Sequence, residues 1–130
     1  MIILLDHDLE GQRVFLEAGW RETAWDQYLQ LEFRRLRDLN IPSDATDQAI
    51  WHYVQREHFL LLTNNRNRED ATSLQATIER ENTPDSLPVL TVSDKDKLVL
   101  PAYRQEAAHK LAAVIRDLEH YFGVGRVLIP

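Results

Sequence analysis

Six aspartates stand at positions from which carboxylates can act together on one substrate. Asp6 and Asp8 follow the apolar run from 2 to 5, and Asp94 follows the third predicted strand, 88–92. Carboxylate oxygens are the ligands that Mg²⁺ and Mn²⁺ prefer in proteins. Two such ions about 4 Å apart activate a water and stabilise the leaving oxygen when a phosphodiester is cleaved. The expected chemistry is therefore metal-dependent hydrolysis, by carboxylates drawn from Asp6, Asp8, Asp47, Asp70, Asp94 and Asp96.

A purely structural explanation exists for each of these aspartates. An aspartate after a strand is a common turn residue, and one at a helix start caps the helix and complements its dipole. Asp47 lies near a predicted helix start and fits that role. His7, between two aspartates, is either a metal ligand or proton acceptor, or an exposed turn histidine. The residue types leave both explanations open, and the choice between them depends on the elements that position these side chains.

Four short apolar runs alternate with segments of helical periodicity. Continuous apolarity is typical of strands covered on both faces, and alternation of strands with helices is typical of a parallel sheet. The sequence therefore predicts an α/β protein, a three-layer α/β/α sandwich with a mainly parallel central sheet. The predicted strands are 2–5, 59–62, 88–92 and 126–129, and the predicted helices are 11–18, 23–39, one that begins after the polar turn 43–47, 72–80 and 103–121.

The predicted sheet gathers polar residues at one of its edges. The ligand crevice of such a sheet lies beyond the carboxyl ends of its strands. Asp6 and Asp8 end the first strand, Asn64 and Asn65 follow the second, and Asp94 follows the third. We therefore expect these side chains to lie close together, with Asp6, Asp8 and Asp94 as ligands of Mg²⁺ or Mn²⁺.

Length and composition exclude several classes of protein. The 130 residues suffice for one domain, 1–130, with a single core. The 15 basic and 21 acidic residues give a net charge of −6, so RNA binding would need a local basic patch or a bound cation. The absence of cysteine excludes disulfides, thiolate zinc sites and a cysteine nucleophile, and it fits a cytoplasmic location. The sequence has no run of about 20 apolar residues, so it predicts no membrane span.

Three segments, in this order, resemble the PIN-like domains, specifically a small bacterial branch that opens with a Leu-Leu-Asp-Glu-Asn type motif. Residues 4–9, Leu-Leu-Asp-His-Asp-Leu, are similar to that opening motif. Residues 43–51, Ser-Asp-Ala-Thr-Asp-Gln-Ala-Ile-Trp, resemble the branch's Ser-Asp-x-x-Ile element. Residues 59–67 resemble its strand that ends in Thr-x-Asp-x-Asp. The likeness covers about residues 1–70, and beyond them only the order of strands and helices supports it.

The resemblance implies both a fold and an activity. PIN-like domains are three-layer α/β/α sandwiches, and many are Mg²⁺- or Mn²⁺-dependent ribonucleases, including toxins of toxin–antitoxin pairs. RNA and a cognate antitoxin, or another protein, are thus the implied partners. By the same resemblance Asp6 is the first carboxylate and touches metal, and Asp47 is the second. Asn64 or Asn65 falls at the third carboxylate position, and Asp94 matches a fourth by its place in the fold alone.

The third acidic position departs from the family pattern. Asparagine in place of aspartate keeps an oxygen ligand but removes a full negative charge, which lowers the affinity for a cation; Asp70 is a candidate substitute. Two functions stay open: a ribonuclease with a weakened acidic site, or a catalytically inactive PIN-like module that acts through dimerisation or partner binding. Arg66 is the candidate for binding a substrate phosphate, and a homodimer is expected. A further basic group either guides RNA or forms a solvated face: Arg34, Arg35 and Arg37.

Overall fold

A five-stranded sheet forms the centre of the protein in a computed structural model that describes residues 1–64 and 73–130. The strand order is β2-β1-β3-β4-β5 and all neighbouring strands are parallel, so the predicted three-layer α/β/α fold is confirmed. The strands are β1 (Ile2–Leu5), β2 (Glu32–Arg34), β3 (Leu60–Asn64), β4 (Val89–Val92) and β5 (Arg126–Leu128). The helices are α1 (Arg13–Glu22), α2 (Asp47–Glu57), α3 (Leu74–Glu81) and α4 (Pro101–Arg116), with 3₁₀ turns at His7–Gln12, Trp25–Gln27, Leu36–Leu39, Lys95–Val99 and Leu118–Tyr121.

Alternating side chains build a separate core on each face of the sheet. Ile3 and Leu5 pack against α1 and α4, whereas Leu4 between them packs against α2 and α3. Trp20 of α1 lies in the first core and Trp51 of α2 in the second. Because the central strands are covered on both faces, their sequences are almost continuously apolar.

Helices α1 and α4 share one face of the sheet, which fixes the relative hand of the connections. The chain moves from β1 to β2 through α1, then in the opposite direction through α2 and α3 on the opposite face, so these three crossovers have the same hand. The step from β4 to β5 continues in that opposite direction, yet α4 lies beside α1. Since such crossovers are right-handed in about 98% of cases, we infer that the connection through α4 is left-handed.

The prediction of one long helix over 23–39 is wrong. This segment contains two 3₁₀ turns and the edge strand β2, which pairs with β1. The backbone of Ala24 is left-handed, with φ of 60°, and a run of α-helix cannot continue through that conformation. The apolar spacing that suggests a helix is satisfied by this irregular segment, because the same side chains still turn into the α1–α4 core: Trp25, Leu29 and Phe33.

The remaining elements lie close to their predicted positions. Helix α1 begins at Arg13, and the last predicted helix divides into α4 and a short 3₁₀ turn. Ser73 caps α3, since its Oγ accepts a hydrogen bond of 3.2 Å from the N–H of Ala76; the predicted cap Thr72 lies outside the described residues. In the two stretches that the structure describes, no helix is both long and apolar enough to cross a membrane.

Candidate functional site

The strand order puts the crevice that is expected of an open parallel sheet between the carboxyl ends of β1 and β3. The chain leaves β1 for β2 on one side and later returns to β3 on the other, so the direction of winding reverses between these two strands. Ligands of open parallel sheets bind at such a reversal. Asp6 follows β1 and Asn64 ends β3, so these two predicted site residues flank the crevice.

Asp6 is a buried carboxylate, with 7% of the residue exposed. Its backbone N–H donates to the carbonyl of Leu62 at 3.0 Å, which continues the β1–β3 ladder by one residue. Its Oδ1 accepts a hydrogen bond of 2.7 Å from the N–H of His7 and so caps the following 3₁₀ helix. The capping role expected of a strand-end aspartate is therefore present, and an asparagine at this position retains an oxygen for it. His7 itself is an exposed turn residue.

Asp47 and Asn64 line one small cavity at the carboxyl end of β3. Asp47 is the first residue of α2, but the helix is capped by Thr46, whose Oγ1 accepts from the N–H of Ala49 at 3.1 Å. The Asp47 carboxylate is therefore not needed as the cap. The cavity has a volume of about 30 Å³, which is enough to admit a water. Its walls are Asp47, Thr63, Asn64, Ser73, Leu74, Gln75 and Arg126.

Asp8 and Asp94 belong to segments on the other side of the sheet. The 3₁₀ helices that follow β1 and β4 both bury a leucine in the α1–α4 core. Asp94 caps the second of them, with its Oδ1 accepting from the N–H of Asp96 at 3.1 Å. The backbone carbonyl of Asp8 accepts from Nζ of Lys95 at 3.2 Å. The structure thus groups Asp8 with the Asp94 segment, and Asp47 with Asn64.

The donor atoms at the crevice are of the chemical type that binds a hard cation. It offers carboxylates and an amide oxygen, and Mg²⁺ is usually held by only one or two carboxylates together with waters and substrate phosphates. Within 1–64 and 73–130, no three histidines, aspartates or glutamates come together closely enough to hold a metal ion. Any ion here would therefore depend on water and substrate for part of its coordination.

Sequence reasoning missed a polar network that crosses three strands beside the cavity. Arg126 at the start of β5 donates from Nη1 to Thr91 Oγ1 at 2.8 Å and from Nε to Gln75 Oε1 at 3.1 Å. Thr91 and Thr63 are fully buried neighbours whose hydroxyls lie 3.2 Å apart. A signal was available: Arg126 is a charged residue at the start of a predicted strand, where an inward-facing side chain needs a polar partner.

Several predicted residues lie elsewhere. Asn65, Arg66 and Asp70 fall outside the described residues. The other basic group lies on β2 and the turn after it, where each arginine meets a carboxylate. Hydrogen bonds from Arg35 lower the pKa of Asp38 to about 2. These pairs favour a solvated face: Arg34 with Glu32, Arg35 with Asp38, and Arg37 with Glu10.

Comparisons with known proteins identify no family for this fold. Neither the models of protein families, nor the curated proteins, nor the solved structures give a match to the chain. The α/β/α fold, the strand order and the side chains at the β1–β3 crevice are therefore the features that indicate a class of protein.

Proposed function

We propose that this chain is a PIN-like endoribonuclease of the cytoplasm that depends on Mg²⁺ or Mn²⁺ and has a weakened acidic site. The observation that supports the proposal is that Asp6 and Asn64 lie at the carboxyl ends of neighbouring strands, at the reversal point of a parallel sheet, with Asp47 on the wall of the same cavity as Asn64. A cognate antitoxin, or another protein, is the proposed partner that restrains it.

The proposed roles follow from the chemistry of each side chain. Asp6 and Asp47 supply the negative charge that holds a divalent ion, and Asn64 supplies a neutral oxygen. A divalent ion held by these residues would supply Lewis-acid chemistry, which makes a bound water a better nucleophile and stabilises developing negative charge. Asp94, on the other side of the sheet, acts from farther away or through water. Because Asn64 contributes no charge, we expect weaker cation binding than at a site with a third carboxylate.

The test is thermal unfolding of the metal-stripped protein in rising Mn²⁺, beside an RNA cleavage assay. An ion that binds only the folded state must raise the Tm by mass action. At a hundredfold excess of the ion over its Kd, the free energy of unfolding increases by about 2.7 kcal/mol. We expect the rise in the wild type and its loss in Asp6→Asn, which keeps the cap of the 3₁₀ helix, and in Asp47→Asn. Asp85→Asn, an exposed carboxylate near the opposite end of β4, is the matched control. A wild-type Tm that stays constant at millimolar Mn²⁺, with RNA left intact, would refute the proposal.

The second candidate is a catalytically inactive PIN-like module that acts through a homodimer or a partner. The loss of charge at Asn64 favours it, and so do exposed apolar side chains at and before the edge strand β5: Phe122, Val124 and Leu128. Sedimentation of the wild type and of Leu128→Lys distinguishes this function. A dimer that the variant dissociates, with no response to Mn²⁺, supports the module, whereas a monomer at all concentrations removes dimerisation from it.

A further inference from the structure

We infer that the outer edge of β2 binds an extended peptide of a partner protein, one that carries an apolar and a basic residue on the same face. The inference rests on the proposal that the chain acts with another protein, and it requires neither a metal ion nor RNA. The surface lies at the amino ends of β1 and β2, where Ile2 and Glu32 begin these strands. The candidate crevice is at the opposite, carboxyl ends.

The backbone of this edge offers hydrogen-bonding groups on its outer side. The carbonyl of Gln30 accepts from the nitrogen of Met1 at 3.3 Å, and the N–H of Glu32 donates to the carbonyl of Met1 at 3.1 Å. Because successive residues direct their backbone groups to opposite sides, the N–H and C=O of Leu31 and Phe33 point away from β1. Within 1–64 and 73–130 no strand lies beyond β2. An added strand recognises this pattern of groups.

An open groove lies next to the edge, on the side of α1 and α4. The indole N–H of Trp20, a residue of the groove wall, is a buried donor with no acceptor in the described ranges. Buried donors are normally paired. A peptide contributes carbonyl oxygens as well as apolar side chains, so it matches the mixed walls of the groove: Met1, Ile2, Trp20, Asp26, Leu29, Gln30, Leu31 and Glu32.

Charge determines which polar side chain the peptide should carry. Asp26 is an exposed carboxylate on the groove wall and forms no ion pair with the residues that the structure describes. Glu32 already meets Arg34. The net charge of −6 also favours a cationic partner. Since residues two apart in a strand share a face, a basic residue two positions from an apolar one can reach Asp26 while the apolar one enters the groove.

The probe is a fluorescent octapeptide of two Thr-Val-Thr-Lys repeats with blocked ends, titrated onto the protein in EDTA without RNA. Its valines and lysines share one face when it is extended. We expect saturable binding in fluorescence anisotropy, and slower hydrogen exchange of the Leu31 and Phe33 amides in NMR spectra, because these amides become hydrogen-bonded. Two control peptides should bind on the order of tenfold more weakly. One has Val-Lys-Thr-Thr repeats, which put valine and lysine on opposite faces, and the other has glutamate for lysine.

A pair of protein variants tests the role of charge. Asp26→Lys should weaken binding on the order of fivefold, because attraction becomes repulsion, and high salt should reduce this difference. Asp85→Lys makes the same change in net charge at an exposed position elsewhere and should leave the Kd unchanged. Both side chains are exposed, so we expect both variants to fold.

The outcomes separate the peptide site from the nuclease. A wild type that does not bind the probe at millimolar concentration overturns the inference. Binding that leaves the exchange of the Leu31 and Phe33 amides unchanged also overturns it, and so do equal effects of the two variants. RNA cleavage in Mn²⁺ is measured separately. Peptide binding without cleavage refutes the ribonuclease alone, whereas cleavage by a protein that does not bind the peptide refutes the peptide site alone.

Discussion

Gly19 is the residue at which α1 and α4 come into direct backbone contact. A Cβ placed on it would lie 2.7 Å from the carbonyl oxygen of Arg104, closer than side-chain carbons approach backbone in folded proteins. The clash is with backbone, so no side-chain rotation relieves it. The close packing of the two helices on this face therefore depends on the absence of one side chain.

Gly19→Ala is expected to destabilise the protein. Forcing packed elements apart costs about 1–3 kcal/mol. The better helix propensity of alanine returns at most about 1 kcal/mol, so the steric cost should prevail. Urea unfolding measures the difference in the free energy of unfolding. Gly11→Ala is the control, because a Cβ there meets nothing within 4 Å, and it should change stability by less than about 0.5 kcal/mol. Equal effects in the two variants would contradict the close contact.

At the scale of elements, a polar clamp joins the end of α1 to the start of α4. Glu22 accepts hydrogen bonds from Nε and Nη2 of Arg104, and Nε2 of Gln105 donates to the same carboxylate at 3.2 Å. The hydrogen bonds from Arg104 lower the pKa of Glu22 from 4.5 to about 2. The pairing is thus favourable whenever this carboxylate is ionised.

The clamp should make stability depend on pH in a defined window. A folded-state pKa below the unfolded value stabilises the protein above about pH 4.5, and this stabilisation is lost as the pH falls towards 2. Glu22→Gln should therefore lower the Tm at pH 7, and its Tm should approach that of the wild type near pH 2. Melting curves across this range test the prediction, with Glu17→Gln as the matched control. A difference from wild type that stays constant with pH would show that the carboxylate charge has no part in the clamp.

Strand β5 and the residue after it contribute to both the edge and the core of the sheet. Leu128 is exposed, whereas Ile129 is fully buried in the α1–α4 core and its N–H donates to the carbonyl of Thr91 at 2.8 Å. The two residues are chain neighbours with opposite environments, because successive side chains of a strand point to opposite faces.

Ile129→Ala should cost about 2–5 kcal/mol in the free energy of unfolding, since it removes buried methyl groups and leaves a cavity. Leu128→Ala should change it by less than about 0.5 kcal/mol, since its side chain is already in water. Chemical denaturation of the two variants provides the comparison. Similar losses would mean that Leu128 is covered in solution, which is the result that a dimer through this edge would give.

At the scale of the whole molecule, two helices cover each face of an all-parallel sheet. Every strand pairing in it joins segments that are distant in sequence, so folding must close long loops before the sheet forms. The connection through α4 has the opposite hand to the other three. It brings α4 onto α1, and the contact at Gly19 and the clamp at Glu22 both belong to that pairing.

The sequence predicts those parts of this molecule that local pattern determines. The apolar runs of β1, β3 and β4 reveal buried strands, and from them follow the sheet and the positions of Asp6 and Asn64 at its carboxyl edge. Strand β2 could not be found in the same way. It is three residues long with only Phe33 buried, and its conformation depends on pairing with β1 about 30 residues away.

The candidate site, too, could be predicted from the sequence only in part. That Asp6 and Asn64 flank one crevice follows from strand ends alone. That Asp8 and Asp94 lie across the sheet from Asp47 depends on which face each following 3₁₀ helix packs against, and neighbouring residues do not encode this. The polar network around Arg126 depends on the register that aligns Thr63 with Thr91. Such a register is known only once the strands are paired.

The separate cores give the protein an internal optical probe. Trp51 is one helical turn after Asp47 on α2, while Trp20 and Trp25 stack on the opposite face with ring centroids 6.4 Å apart. A chain carrying Trp20→Phe and Trp25→Phe would emit only from the face that holds the cavity. Its fluorescence would then register an ion or phosphate arriving beside Asp47 without any attached dye, and the complementary Trp51→Phe chain would report on the other face.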